Sequence, residues 1–151
     1  MVDLIREAAV LREAFLLGAV SQAEIVEWAD EYIRSNERSP IELIELSMMT
    51  RSHPLDVLRG LTDISSSIPV VDVLPAAMGI AYKKLLLDVS YCRSLADGLW
   101  DAYVRCNYEV PEFLRMISWF SDAFSLSDSS IFNEEEIEKD LIEFLKNFVA
   151  S

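Results

Sequence analysis

The segment Val73–Tyr91, VLPAAMGIAYKKLLLDVSY, determines how the rest of the chain is interpreted. Its apolar residues recur at three- and four-residue steps, which is typical of an α-helix, and they occupy most of the helix circumference. A helix that is apolar on nearly every side is surrounded by other elements. The sequence therefore predicts that this segment is the central helix of the fold. The apolar positions concerned are Leu74, Ala77, Met78, Ile80, Ala81, Leu85, Leu86 and Val89.

Start and stop signals predict the helices that precede it. The first helix runs from about Asp3 to Leu17 and ends at Gly18, because glycine readily adopts the left-handed cap conformation. Ser21 opens the second helix, since Glu24 stands three residues later and completes a capping box. The buried face of this second helix is expected to contain Ile25, Trp28, Ala29, Tyr32 and Ile33.

The same kind of signal recurs at two prolines. Ser39 and Glu42 predict a capped helix over Pro40–Met49, with the proline at its first position. Pro54 marks the start of a fourth helix, in which Leu55 is expected to face inward. The serines and proline of residues 65–69 interrupt the pattern and predict a loop.

Three more helices are expected after the central one. The first covers Arg93–Arg105, and its start lies near Cys92. Pro111 starts the second, and Asn133 caps the third. The inner stripe of the helix after Pro111 is expected to be Phe113, Ile117, Phe120 and Phe124.

These elements predict an all-α fold, a bundle of about eight helices in one domain over residues 1–151. No long linker or shift in composition divides the chain. An arrangement of consecutive helical hairpins would fit the same length, although no repeat period supports it. Only short stretches such as Ile68–Val73 could compete as strands.

The charge of the chain limits its partners. It has 26 acidic residues against 13 lysines and arginines, a net charge of -13, yet 52% of its residues are hydrophobic. That apolar content is enough for a packed core, so the acid is expected on a folded surface and not in a disordered tail. Such a surface repels nucleic acid and anionic lipid and attracts basic proteins. We therefore expect a basic protein partner, with no binding to nucleic acid or membranes.

No motif for catalysis or for cofactor binding is present. The four glycines do not form a nucleophile elbow or a phosphate-binding loop. His53 is the only histidine, and its place before Pro54 favours a helix-capping or loop role. Cys92 and Cys106 do not have the spacing of a metal site and are expected to be buried thiols. The sequence thus predicts a protein that is not an enzyme, with no metal and no cofactor.

Three surfaces combine acid with exposure or with aromatic residues, and they are the candidate partner-binding sites. The first is the face of the second helix opposite its apolar stripe, which is acidic. The second is the last helix, which begins with three glutamates. The third is the segment after residue 105, where aromatic residues stand beside acidic ones. Part of the acid in the last helix is explained by the helix dipole, which favours anions in the first turn. The candidate residues are Glu24, Glu27, Asp30, Glu31, Tyr108, Glu109, Glu112, Glu135, Glu138 and Glu143, with Tyr103 and Trp119 as further aromatic anchors.

The first 50 or so residues carry a resemblance. The run LGAVSQAEIVEWAD at residues 17–30, followed by Pro40 and the stretch Ile41–Leu46, resembles small bacterial all-helical proteins of unassigned function. Some of these resemble the immunity proteins of polymorphic or contact-dependent toxin systems. The resemblance implies a small acidic cytoplasmic protein that binds a basic toxin domain and neutralises it, without chemistry on a substrate.

A second interpretation stays open from the residues alone. The chain could be a structural or adaptor helical protein whose acidic surface only confers solubility. For either function we expect a cytoplasmic location, because Asp3, Arg6 and Glu7 do not form the basic start of a signal peptide. The longest apolar stretches, Ala14–Val20 and Val73–Tyr82, are also too short to span a membrane.

Overall fold

A computed structural model describes residues 3–129 and 132–149. The described residues form eight α-helices and two short 3₁₀ helices, with no strand among them. The prediction of an all-α fold is therefore confirmed. The 3₁₀ helices are Val89–Tyr91 and Glu112–Ser118. The α-helices are α1 Leu4–Leu16, α2 Gln22–Ser35, α3 Ile41–Ser47, α4 Pro54–Ser65, α5 Val70–Leu87, α6 Cys92–Arg105, α7 Phe120–Ser127 and α8 Glu134–Lys146.

The helices do not all pack on their neighbours in the chain. Helix α1 packs mainly against α4 and α5, whereas α2 packs against α3 and α3 against α4. Helix α5 also contacts α8, and α7 lies between α6 and α8. Within the described residues α1 and α2 touch each other little. A series of consecutive hairpins therefore does not describe the first two helices.

Helix α5 is central for most of its length, as the sequence predicted. Leu74, Met78 and Leu85 are buried in it, between α1 on one side and α8 and α6 on others. The expectation of full enclosure is wrong at its C-terminal end, where Leu86 is 58% exposed and Leu87 is 90% exposed. The helix stops at Leu87, and the chain turns away before any element covers these two side chains.

Gly79 explains how closely α8 approaches α5. A Cβ atom at this position would lie 2.6 Å from the backbone oxygen of Phe148. No side chain can be accommodated at that distance without moving the backbone that follows α8. The glycine therefore allows the segment that follows α8 to pack directly on the central helix.

The predicted helix starts are confirmed where a side chain caps the helix. The Ser21 hydroxyl accepts from the Glu24 N–H at 3.1 Å, and the Glu24 carboxylate accepts from the Ser21 N–H at 3.1 Å, which is the predicted capping box. His53 Nδ1 accepts from the Leu55 N–H at 3.1 Å, so the histidine caps α4 as expected. The loop predicted after Ser65 is also present, because α4 ends there.

The start of α3 differs from the prediction. Pro40 is the residue before the helix and not its first residue, and no side chain caps it. Its carbonyl accepts from the N–H groups of Leu43 and Ile44 at 3.1 and 3.2 Å. Since the helix begins one residue late, the capping box expected from Ser39 and Glu42 does not form.

The segment after Pro111 also differs from the prediction. It forms a 3₁₀ helix before α7, and Phe113, expected in the inner stripe, is 59% exposed. A 3₁₀ helix has three residues per turn, so residues three apart share a face. Leu114, Ile117 and Phe120 have this spacing and are all buried.

On α4, Leu55 is likewise exposed and not inward, because the side of the first turn that carries it is not covered by another helix.

Candidate functional site

A groove runs between α1 and α2. It forms because α2 leans on α3 while α1 packs on α4 and α5, which leaves the facing sides of the first two helices apart. Two adjoining depressions, of about 410 and 460 Å³, share Glu7 and Trp28. We call these two depressions together the Trp28 groove. Trp28 is partly buried and packs against the core, so it forms a fixed part of the wall.

The two halves of the Trp28 groove differ in polarity. The first half is largely apolar, with Val10 and Leu11 from α1 and Ile80 from α5 beside Trp28. The second half is lined by Tyr32 and by acidic side chains of α2. These acidic residues are Glu24, Glu27 and Glu31. An apolar floor next to a negative wall suits a ligand that is both flat and cationic.

Helical spacing explains why the acid and the tryptophan lie together. Glu24, Glu27, Trp28 and Glu31 stand at steps of three and four residues, so they share one side of α2. Ile25 and Ala29, on the neighbouring side, are buried and hold the helix in place. The sequence predicted Glu24, Glu27, Asp30 and Glu31 as one acidic face, of which three residues line the groove. It expected Trp28 on the buried face, where the side chain is only partly buried.

The glutamates of the groove differ in how far they are already neutralised. Glu24 accepts the capping hydrogen bond from the Ser21 N–H, and Glu31 forms an exposed ion pair with Arg34 at 2.9 Å. Glu27 makes no hydrogen bond or ion pair with any described residue. Its charge is therefore available to a ligand.

Glu7 is the residue that the sequence did not single out. It lines both halves of the Trp28 groove, and its Oε2 atom is buried with no hydrogen-bond partner among the described residues. A buried carboxylate oxygen without a hydrogen-bond donor is unfavourable, and such unsatisfied oxygens are rare in native proteins. The sequence gives no signal for this, because the first turn of a helix commonly contains glutamate.

Asp30 does not belong to the groove. It was expected to act with the other acidic residues of α2, but it is exposed and does not line either depression. At 100° per residue, position 30 points about 60° away from position 27 and 100° from position 31. It therefore lies on the outer side of the helix.

A second candidate surface surrounds Tyr108. The chain leaves α6 through Asn107 and Tyr108, both with positive φ, of 57° and 62°. The Tyr108 N–H donates to the Tyr103 carbonyl at 3.1 Å, which closes the helix end, and the two rings meet edge to face at 5.5 Å. A left-handed conformation is unusual for tyrosine. The structure thus presents an exposed ring on a tightly held turn.

Of the two acidic residues expected beside Tyr108, only one faces the same depression. Glu109 and Tyr108 line the same depression, of about 760 Å³. Glu112 is turned to Arg115, with which it forms an exposed ion pair at 3.4 Å, and Arg115 lines the depression itself. Trp119 packs on Phe120 and is not part of the lining. This surface is therefore mixed in charge.

The acid of α8 is a separate surface, because no residue of α8 lines the Trp28 groove. Glu134 and Asp128 both bind Arg93 of α6, at 3.0 and 2.8 Å, which neutralises part of this region. Burial, followed by repulsion from Glu134 and Glu135, raises the pKa of Glu138. Glu143 is exposed. The two acidic faces expected from the sequence do not form one site.

A buried charge cluster connects α1 to α4 and α6, and sequence reasoning missed it. Glu13 is fully buried and pairs with Arg12 at 2.7 Å and with Arg105. Arg12 also donates to the carbonyls of Ser65 and Ile68, each at 3.2 Å, and to the Ser65 hydroxyl at 3.1 Å. Apart from the Arg12–Glu13 pair within α1, these contacts join α1 to α4, to the loop after α4 and to α6, so the cluster has a structural role. The sequence did contain a signal for the cluster. Arg12 and Glu13 stand four residues after Ala8 and Ala9, so helical spacing places them on the same buried face of α1.

The chemistry-bearing side chains outside the groove are dispersed. Among residues 3–129 and 132–149, no three histidine, cysteine, aspartate or glutamate side chains are placed to hold a metal ion. Burial raises the pKa of Cys92 to about 12, and burial also raises the pKa of the partly buried Cys106. Both thiols are therefore protonated at neutral pH. Of the described helices, none is both long and apolar enough to cross a membrane.

No protein-family model, curated protein or solved structure matches this chain.

Proposed function

We propose that this protein is a non-enzymatic binding module that inhibits a basic protein. It would act as a cytoplasmic protein of the immunity type, neutralising a partner such as a bacterial toxin domain by covering part of its surface. The observation that carries the proposal is the Trp28 groove, where uncompensated glutamates and a fixed aromatic ring lie side by side. Aromatic anchors with surrounding charge are typical of protein interfaces.

The charge of the whole molecule supports the same function. A net charge of -13 accelerates the approach of a basic protein over long distances, and the groove then offers a place to dock. Carboxylates that repel one another without a cation are unfavourable in the free protein. A bound basic partner relieves that repulsion, which gives a physical reason to retain the acid.

A test is capture of partners from the native host at low and high salt, with identification by mass spectrometry. The key variant neutralises three groove residues, Glu7→Gln, Glu27→Gln and Glu31→Gln. The matched control removes the same charge elsewhere, with Glu37→Gln, Asp101→Asn and Asp140→Asn, which are exposed and make no ion pair among the described residues.

We expect a basic protein that the wild type and the control retain at low salt and that the groove variant releases. The purified basic protein should associate with the wild type more slowly as the salt concentration rises. Equal retention by the groove variant and the wild type would contradict the proposal. Equal loss from both variants would show that net charge, and not the groove, is responsible.

A structural or adaptor role is the second candidate, and an exposed apolar stripe favours it. Ile41 and Ile44 are exposed on α3, and the exposed Met48 directly follows its last residue. The exposed Leu55 is the second residue of α4, close by in the chain. Isolated exposed apolar residues are common, but a run at helical spacing is typical of a contact surface. For this function, Ile44→Ser with Met48→Ser should abolish association, whereas the groove variant should leave it intact.

A further inference from the structure

We infer that the Trp28 groove receives an arginine side chain of the partner, its guanidinium lying over the Trp28 ring and paired with Glu7. This inference rests on the proposed function, since it names the group by which the basic protein is held.

The first step concerns the balance of charge in the groove. Five carboxylates line its two halves, those of Asp3, Glu7, Glu24, Glu27 and Glu31, against the single cation of Arg6. Asp3 is engaged at the start of α1, where it accepts from the Arg6 N–H at 3.1 Å. The surplus of negative charge selects a cationic occupant over a neutral or anionic one.

The second step concerns Glu7, which the two halves share. One of its oxygens, Oε2, is enclosed by protein and has no hydrogen-bond donor among the described residues, so this oxygen is unsatisfied. A donor placed in the groove can bind the other oxygen or can draw the carboxylate round to bind both. The guanidinium group has a fork of N–H donors that suits such two-point pairing.

The third step distinguishes arginine from lysine. The first half of the groove, in which Glu7 meets Leu11, Trp28 and Ile80, is largely apolar. A guanidinium is flat, weakly hydrated and stacks on aromatic rings, so it tolerates this surface. An ammonium is compact and strongly hydrated, and it loses more on leaving water. The groove therefore discriminates between two cations of equal charge.

The experiment uses the whole protein labelled with ¹⁵N and follows the indole N–H signals of Trp28, Trp100 and Trp119. The Trp28 signal is assigned with the variant Trp28→Phe. The probes are N-acetyl-arginine methylamide, the matching lysine compound, and the matching citrulline compound, which has nearly the shape of arginine but no charge.

We expect the arginine probe to shift the Trp28 signal at a half-saturating concentration about threefold lower than the lysine probe. The citrulline probe should leave the signal unchanged. Glu7→Gln should weaken the arginine effect about tenfold, as expected for a charge-assisted contact, while Asp101→Asn leaves it unchanged. Glu27→Gln, which keeps Glu7, should weaken it less and guards against a Glu7 variant that folds poorly.

Three results would overturn the inference: equal response to arginine and lysine, a response that does not depend on Glu7, or a larger shift at Trp100 or Trp119. Retention of a basic protein through the groove together with any of these would leave the proposed function standing. An arginine response at Trp28, with no basic protein retained in the capture experiment, would instead reject the proposed function and keep the cation site.

Discussion

Glu13 and Glu7 lie on the same helix, six residues apart, and have opposite surroundings. Glu13 is fully buried, and two guanidinium groups bind its oxygens. Glu7 is only partly buried, yet it has an enclosed oxygen with no donor among the described residues. The first arrangement is complete within the chain, whereas the second lacks a donor among the described residues, which the guanidinium of our inference would supply. Donors, more than depth of burial, distinguish these two carboxylates.

The largest effect is expected from Glu13→Ala. This change leaves Arg12 and Arg105 without their shared carboxylate, and Arg12 remains buried. Removing one partner of a buried ion pair lowers the free energy of unfolding by about 3 to 5 kcal/mol. Arg105 is partly exposed and can regain water, so we expect the lower end of that range. Urea unfolding followed by circular dichroism measures it.

Glu143→Ala is the control for Glu13→Ala, because Glu143 is exposed and makes no ion pair with a described residue. Its effect should stay within about 0.5 kcal/mol. A loss below about 1 kcal/mol at Glu13 would mean that both arginines rehydrate on its removal, and the contrast with Glu7 would disappear.

A smaller effect on stability is expected from Glu7→Gln. Neutralising an unsatisfied carboxylate oxygen favours the folded state by about 1 kcal/mol, whereas losing an anion from the first turn of α1 disfavours it by about 0.3 to 1 kcal/mol. The two terms offset each other, so the free energy of unfolding should change by less than about 1 kcal/mol. The same urea experiment tests this, and a loss as large as that at Glu13 would show that Glu7 is structural.

The smallest effects concern the pH dependence of stability, in a second pair of contrasting carboxylates. Hydrogen bonding and attraction from Arg93 lower the pKa of Asp128, so its contribution to stability is present above the ordinary aspartate pKa and is lost as the pH falls through the lowered value. Burial and neighbouring glutamates raise the pKa of Glu138, so its unfavourable contribution appears as the pH rises through the raised value.

Asp128→Asn should therefore reduce the loss of stability on acidification, and Glu138→Gln should raise stability near neutral pH but not below the ordinary glutamate pKa. Urea midpoints measured from pH 3 to pH 7 test both changes against the wild type. If both variants shift the profile in the same direction, the contrast between a paired and an unpaired carboxylate fails for this pair.

The elements of the fold that could be predicted are those determined by near neighbours in the chain. The Ser21–Glu24 capping box and the His53 cap form as expected, because their hydrogen bonds join residues two or three apart. The prediction was wrong where the helix type changed. Phe113, expected in the inner stripe, is exposed and Leu114 is buried in its place, because in a 3₁₀ helix the residues that share a face are three apart.

The candidate site could be predicted only in part. Glu24, Glu27 and Glu31 share a side of α2 because of helical spacing, and the sequence identified them as part of an acidic face, with Glu24 also in the capping box. Their joining to Glu7 of α1 could not be predicted, because it depends on α2 packing against α3 and not against α1. Neither spacing nor composition carries information about that choice.

By itself, the sequence determined that the chain is helical, where most of its helices begin, and that its surface is strongly acidic. Those properties follow from local hydrogen bonds, apolar periodicity and the count of charges. Only the tertiary structure decided which carboxylates are satisfied, which leucines stay exposed at the end of α5, and that a groove opens beside Trp28. These depend on contacts between residues far apart in the chain, such as Arg105 with Glu13, which pack together only when the helices assemble.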